Sequence, residues 1–196
     1  ASTINKDKNS LKELFNRVKS DQIRLRLLNE IDGYISDSDS RFVDELFNTN
    51  KRVYQIHSLY MARKTKCKKM KNTITNILQN SSDRDMIFYS INSLKSYKNK
   101  NDLVLITPFL FHSEQGIRRA AIEACGRISP KECLEDLKSA YRKEEDFGNR
   151  VAIIEVISLL KNEKIARETI EYLLTTESNS TVISIANNIL NKLKSN

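Results

Sequence analysis

From Arg118 the chain reads Arg-Arg-Ala-Ala-Ile-Glu-Ala-Cys-Gly-Arg-Ile, so apolar Ala121, Ile122, Cys125 and Ile128 fall three, four, seven and ten positions after the arginine. That spacing lays one stripe along a helix face. The frame recurs as Leu27, Leu28, Ile31 and Tyr34 after Arg24, as Ile87, Phe88, Ile91 and Leu94 after Arg84, and as Ile153, Ile154, Ile157 and Leu160 after Arg150. After Arg52 it continues through Ile56, Leu59 and Ala62, broken by Gln55. A sixth window keeps Ile185, Ala186 and Ile189 but opens on Val182 and closes on Lys192. The windows open at 24, 52, 84, 118, 150 and 182, a nearly constant period that marks an internal repeat.

Between the stripes lie shorter apolar clusters: Leu11, Leu14, Phe15 and Val18; Phe42, Val43, Leu46 and Phe47; Ile74, Ile77 and Leu78; Leu105, Ile106, Phe109 and Leu110; Leu134, Leu137 and Tyr141; Ile170, Leu173 and Leu174. Each repeat is therefore predicted to be two helices. The turns inside the pairs carry residues whose oxygens suit a helix start: Ser20-Asp21, Thr49-Asn50, Ser81-Ser82-Asp83, Ser113-Glu114, Glu144-Glu145-Asp146 and Ser178-Asn179. A lone pair cannot cover its apolar face, but stacked pairs build a continuous core. The predicted fold is all-α, a right-handed α-solenoid of about six antiparallel helix pairs. It is expected to form one domain over 1–196, with repeats near 10–36, 38–65, 70–98, 101–128, 130–161 and 162–194.

The segment from Leu105 to Asp146 resembles HEAT repeats, and within them the short HEAT-like repeats of phycobilisome lyases. The likeness rests on Pro108 in an apolar first helix, Glu114 in the turn, and Arg118 opening a second helix rich in Ala120, Ala121 and Ala124. The segment around Arg150 fits next best and that around Arg24 third; the other units lack the proline and the small residues. The resemblance implies that the arginine pairs with acidic or carbonyl groups of a neighbouring turn. Arg24, Arg52, Arg84, Arg118 and Arg150 are thus expected to form a structural ladder.

Composition agrees with helices: only 4 Gly and 2 Pro leave little for hairpins, and 39% hydrophobic residues suffice for a core. Three cysteines, an odd number without framework spacing, suggest a reducing compartment and a cytoplasmic location. The chain opens on Ala-Ser rather than Met, which fits a piece of a longer protein, and an anchor outside it would place the domain at a membrane.

Candidate chemistry is sparse. His57 and His112 lie in different repeats, no cluster has zinc spacing, and no phosphate loop or nucleophile motif is present, so no metal, cofactor or catalytic residue is expected and the chain reads as non-enzymatic. Glu123 and Glu155, one period apart, look like a carboxylate pair but read as exposed residues on successive helices. Cys125 reads as packing, while Cys67 sits among lysines that favour a thiolate.

The expected function is a scaffold that binds another protein along its second helices. Positions two and five after each opening residue should be exposed there, including Tyr54, His57, Met86, Tyr89, Ala120, Glu123, Ala152 and Glu155, and Arg119 and Arg127 complete the candidate contact set. The formal net charge of +8 concentrates in turns between repeats, at Arg63, Lys64, Lys66, Lys68, Lys69 and Lys71 and again at Lys95, Lys98 and Lys100. This basic edge supports the alternative of a nucleic-acid or anionic-membrane partner. The resemblance also reaches HEAT-like DNA glycosylases, but the absence of Trp counts against an aromatic base pocket.

Overall fold

A computed structural model describes residues 2–65 and 67–194 and shows twelve α-helices, with no strand, among them. The helices are α1 (Ser2–Arg17), α2 (Asp21–Tyr34), α3 (Ser40–Phe47), α4 (Arg52–Thr65), α5 (Lys68–Asn80), α6 (Arg84–Tyr97), α7 (Leu103–Ile106), α8 (Gln115–Ile128), α9 (Leu134–Lys143), α10 (Phe147–Ser158), α11 (Glu163–Leu174) and α12 (Ser180–Lys194). Three 3-10 segments, Asp37–Asp39, Lys100–Asp102 and Thr107–Phe111, adjoin α3 and α7. The last carries Pro108 in its first turn, where a missing amide proton costs nothing. Each arginine of the repeat lies in the first turn of a second helix or close behind it, as the stripe requires. No described helix is long and apolar enough to cross a membrane.

Capping explains some boundaries. Asp83 accepts from the amides of Asp85 and Met86, Asp146 from that of Asn149, and Asn179 from those of Thr181 and Val182. Ser20 and Glu114 make no such bond, against the reading of those turns from sequence. The turn before α3 is closed by a capping box in which Ser36 and Asp39 satisfy each other's backbone.

The chain divides into two compact units, Ala1–Thr73 and Ile74–Asn196, the boundary falling within α5. In the first, α1 packs on α2 and α3 on α4, with the Asp37–Asp39 turn against both α3 and α4. Leu28, Ile31, Tyr54, Leu59 and Met61 are fully buried there. In the second, α6, α8, α10 and α12 pack side by side in that order, and Thr107–Phe111, α9 and α11 form the facing layer. This is the layered stacking of an α-solenoid.

The stacking corrects the sequence reading of the helix faces. Ala120 and Ala152, expected on the surface, are buried, because α8 and α10 are covered on both flanks by neighbouring second helices as well as from below. Helix α10 touches α8, α9, α11 and α12, and Ala152, Ile153, Ile154, Val156 and Ile157 are all buried on it. Gly126 lets α8 come this close, since a Cβ there would stand 2.8 Å from Val156 Cγ2. Conversely, Leu14, Tyr34 and Phe88, assigned to buried stripes, are at least a third exposed.

Candidate partner-binding surface

Three of the repeat arginines, Arg84, Arg118 and Arg150, reach a carboxylate of the following repeat. Arg118 Nη1 donates to the carbonyls of His112 (3.0 Å) and Ser113 (2.8 Å) in its own turn, while Nε and Nη2 fork onto the Glu144 carboxylate of the next repeat at 2.8 and 2.6 Å. Glu144 is buried and also accepts from the Asp146 amide and Asn149 Nδ2. Burial alone would push the Glu144 carboxyl up, but Arg118 and these donors outweigh it and hold it below its ordinary value. Arg150 repeats the theme: Nη1 donates to the Glu144 carbonyl, and Nε stands 3.2 Å from Glu177, which also takes the Tyr141 hydroxyl proton at 2.5 Å. Arg84 reaches Glu114 at 3.4 Å with both side chains well exposed, Arg24 holds the carbonyls of Phe15 and Val18, and Arg52 is exposed.

On the outer face of the second helices, Lys95 of α6 and Arg119 of α8 both bind Glu123, at 3.3 and 3.1 Å, and Arg119 Nη1 also donates to the Gly148 carbonyl of α10. Met86 and Tyr89 are half-buried on α6, the exposed Phe88 ring meets Tyr89 edge-on at 5.3 Å, and Arg127 and Glu155 are exposed. Consecutive helices α6, α8 and α10 thus bring Met86, Tyr89, Arg119, Glu123, Arg127 and Glu155 onto one layer. Tyr54 does not belong with them. It lies in the other unit and is 1% exposed, its ring against Phe15 and its hydroxyl donating to Asp21 at 2.6 Å. Its aromatic bulk fills the core at a position that holds alanine in α8 and α10. His57, also in the first unit, is half-buried, and burial holds its imidazole below the ordinary histidine range against the opposing pull of Asp32.

The basic edge is less free than its sequence suggests. Arg63 and Lys64 both pair with Asp32, Lys69 with Asp44, Lys95 with Glu123 and Lys100 with Glu132. Arg63 also stacks over Tyr60 at 4.1 Å. Lys68 and Lys98 are exposed, Lys71 is half-buried, and Lys66 lies outside the described residues. The two clusters belong to different units, Arg63 to Lys71 in the first and Lys95 to Lys100 in the second. Cys67 is half-buried; Cys125 and Cys133 are fully buried, and the neighbouring Cys133 thiol together with burial pushes the Cys125 thiol up. No group of His, Cys, Asp and Glu among the described residues is arranged to hold a metal ion.

With the layers and faces in place, the fold is defined: a HEAT-like α-solenoid of stacked helix pairs. The solved structure of the complex of CpcE and CpcF of phycocyanin lyase from Nostoc sp. PCC7120 matches with a TM-score of 0.54, covering 98% of this chain and 85% of that one at 13% identity. At that identity the likeness is one of fold. No family model matches the sequence, and no curated protein matches it. The likeness corrects the expectation that the chain is not an enzyme: its fold is one that a lyase complex uses, so sparse motifs are no argument against catalysis.

Proposed function

We propose that this chain binds a protein partner across the outer face of α6, α8 and α10. The observation that carries the reading is the continuous strip formed where Lys95, Glu123, Arg119 and the Gly148 carbonyl link three successive helices. These contacts hold long side chains in fixed positions, which lowers the entropy cost of ordering them at an interface. Met86, Phe88 and Tyr89 supply apolar and aromatic surface at one end of the strip, the residue types that anchor protein contacts. The structurally similar CpcE and CpcF form a complex of two proteins, which agrees with partner binding by such a fold.

Nucleic acid is the weaker reading, because five of the eight described basic-edge residues are paired with carboxylates. The test is capture of a partner from lysate by the wild-type chain and by Tyr89→Ala and Glu123→Lys variants, with and without nuclease. A protein retained by the wild type after nuclease and lost by both folded variants supports the proposal. Capture that disappears with nuclease, or that neither variant weakens, defeats it.

A further inference from the structure

A different surface of the second unit carries a more specific arrangement. At the C-terminal ends of the first helices of three successive repeats, two exposed aromatic rings flank two cations. Phe111, ending Thr107–Phe111, is 44% exposed and Tyr172, near the end of α11, is 51% exposed. Between them α9 ends in Arg142 and Lys143. Lys143 Nζ lies 5.2 Å from the Phe111 ring centroid, and the Arg142 guanidinium lies 5.4 Å from that of Tyr172 while Nη2 donates to its hydroxyl at 2.8 Å. Beside Phe111 and Lys143 opens a cavity of about 170 Å³, with Leu110 and Ala140 on its apolar side and His112, Arg118, Glu144 and Glu145 on its larger polar side.

The charges in this row are unevenly satisfied. Glu144, on the cavity wall, is committed to Arg118 and Asn149, and Glu177 to Arg150 and Tyr141. Arg142 and Lys143 hold aromatic rings and a phenol oxygen and make no ion pair of their own among the described residues, although the exposed Glu145 and Glu171 stand near them along the chain. They also stand at a helix C-terminus, where cations are favoured and an incoming carboxylate needs them to offset the helix dipole.

We propose that this row is a second docking site, taking an acidic segment of a protein partner that sets a carboxylate against Arg142 and Lys143 and an apolar side chain against the exposed ring of Phe111. A peptide suits it better than a nucleic acid. The exposed carboxylates of Glu145 and Glu171 next to the row oppose an evenly charged phosphate chain, whereas a peptide can place single charges between them. The site lies outside the second-helix strip, so the two proposals stand or fall separately.

The experiment titrates the whole chain with a fluorescein-labelled peptide of four Glu-Leu repeats, with a peptide of four Lys-Leu repeats and with a single-stranded oligonucleotide, at physiological salt. The expected result is binding of the Glu-Leu peptide at least about tenfold tighter than either control. It should be lost in Arg142→Glu/Lys143→Glu and weakened about tenfold in Phe111→Ala, with thermal midpoints unchanged, and unaffected by Glu123→Lys. The exposed position of Arg142 and Lys143 makes the charge reversal compatible with folding. Failure of the Glu-Leu peptide to bind, equal binding of the oligonucleotide, or indifference to the charge reversal overturns the proposal.

Discussion

Arg118 and Glu144 show how one residue pair stabilises a turn. Because Glu144 is buried, removing its guanidinium leaves a charge inside the protein. Arg118→Ala should therefore cost about 3–5 kcal/mol in chemical unfolding, while Arg84→Ala, whose partner is exposed, should barely move the midpoint. Equal effects would mean that the buried fork contributes no more than the surface pair. Asp39 makes the corresponding prediction for pH. Burial alone would raise its carboxyl, but hydrogen bonds from Lys12, the Ser36 amide and Lys8 lower it from 3.8 to about 2. The unfolded chain binds this proton more readily than the folded one. The resulting stabilisation, about 2 kcal/mol, is complete above pH 4 and lost as pH falls from about 4 to 2. Asp39→Asn should flatten that stretch of the stability–pH curve, and an unchanged slope would remove Asp39 as its cause.

At the scale of the helix, the stripe and the flanks had different legibility. Residues three, four and seven positions after Arg24, Arg118 and Arg150 were readable because burial against the facing layer repeats with the helix period, as Ala121, Ile122 and Cys125 illustrate, whereas Phe88, four after Arg84, is exposed. Burial of Ala120 and Ala152 was not, since it depends on which helix stands alongside, and small residues leave no pattern of their own. The row of Phe111, Lys143, Arg142 and Tyr172 escaped for a related reason. Its contacts join residues 32 and 30 apart, one repeat period, and only a comparison of positions across repeats could have found them. Two substitutions test the helix faces. Ile122→Asp should cost several kcal/mol by burying an unpaired carboxylate, against under about 1 kcal/mol for the exposed Glu123→Ala. Gly126→Ala should destabilise by about 1–2 kcal/mol despite alanine's better helix propensity, and Val156→Ala in the same chain should recover part of the loss. Additivity of those two changes would show that the close approach of α8 and α10 is not the cause.

The molecule as a whole divides within α5, a helix that no sequence signal marks as a boundary, since its apolar spacing at Ile74, Ile77 and Leu78 runs like that of any first helix. Two compact units predict two unfolding units. Native-state hydrogen exchange in mild denaturant should give one set of opening energies for amides before Thr73 and another for those after it. A single set covering α2 through α12 would contradict the division.

The buried fork at Glu144 also determines where the chain can change length. The six residues from Glu144 to Asn149 are held by the Asp146 amide and Asn149 Nδ2 on Glu144 and by the Asn149 amide on Asp146, with Arg118 reaching in from the repeat before. An inserted residue there would unhook several of these bonds together. The α8–α9 turn around Lys131 is exposed at its tip and, besides short-range backbone bonds, carries the exposed Lys100–Glu132 pair, so lengthening it costs little beyond loop closure. Insertions and deletions in chains built this way should gather at turns between repeats and avoid those within them, making the edge with fewer cross-links the one along which new segments can be added.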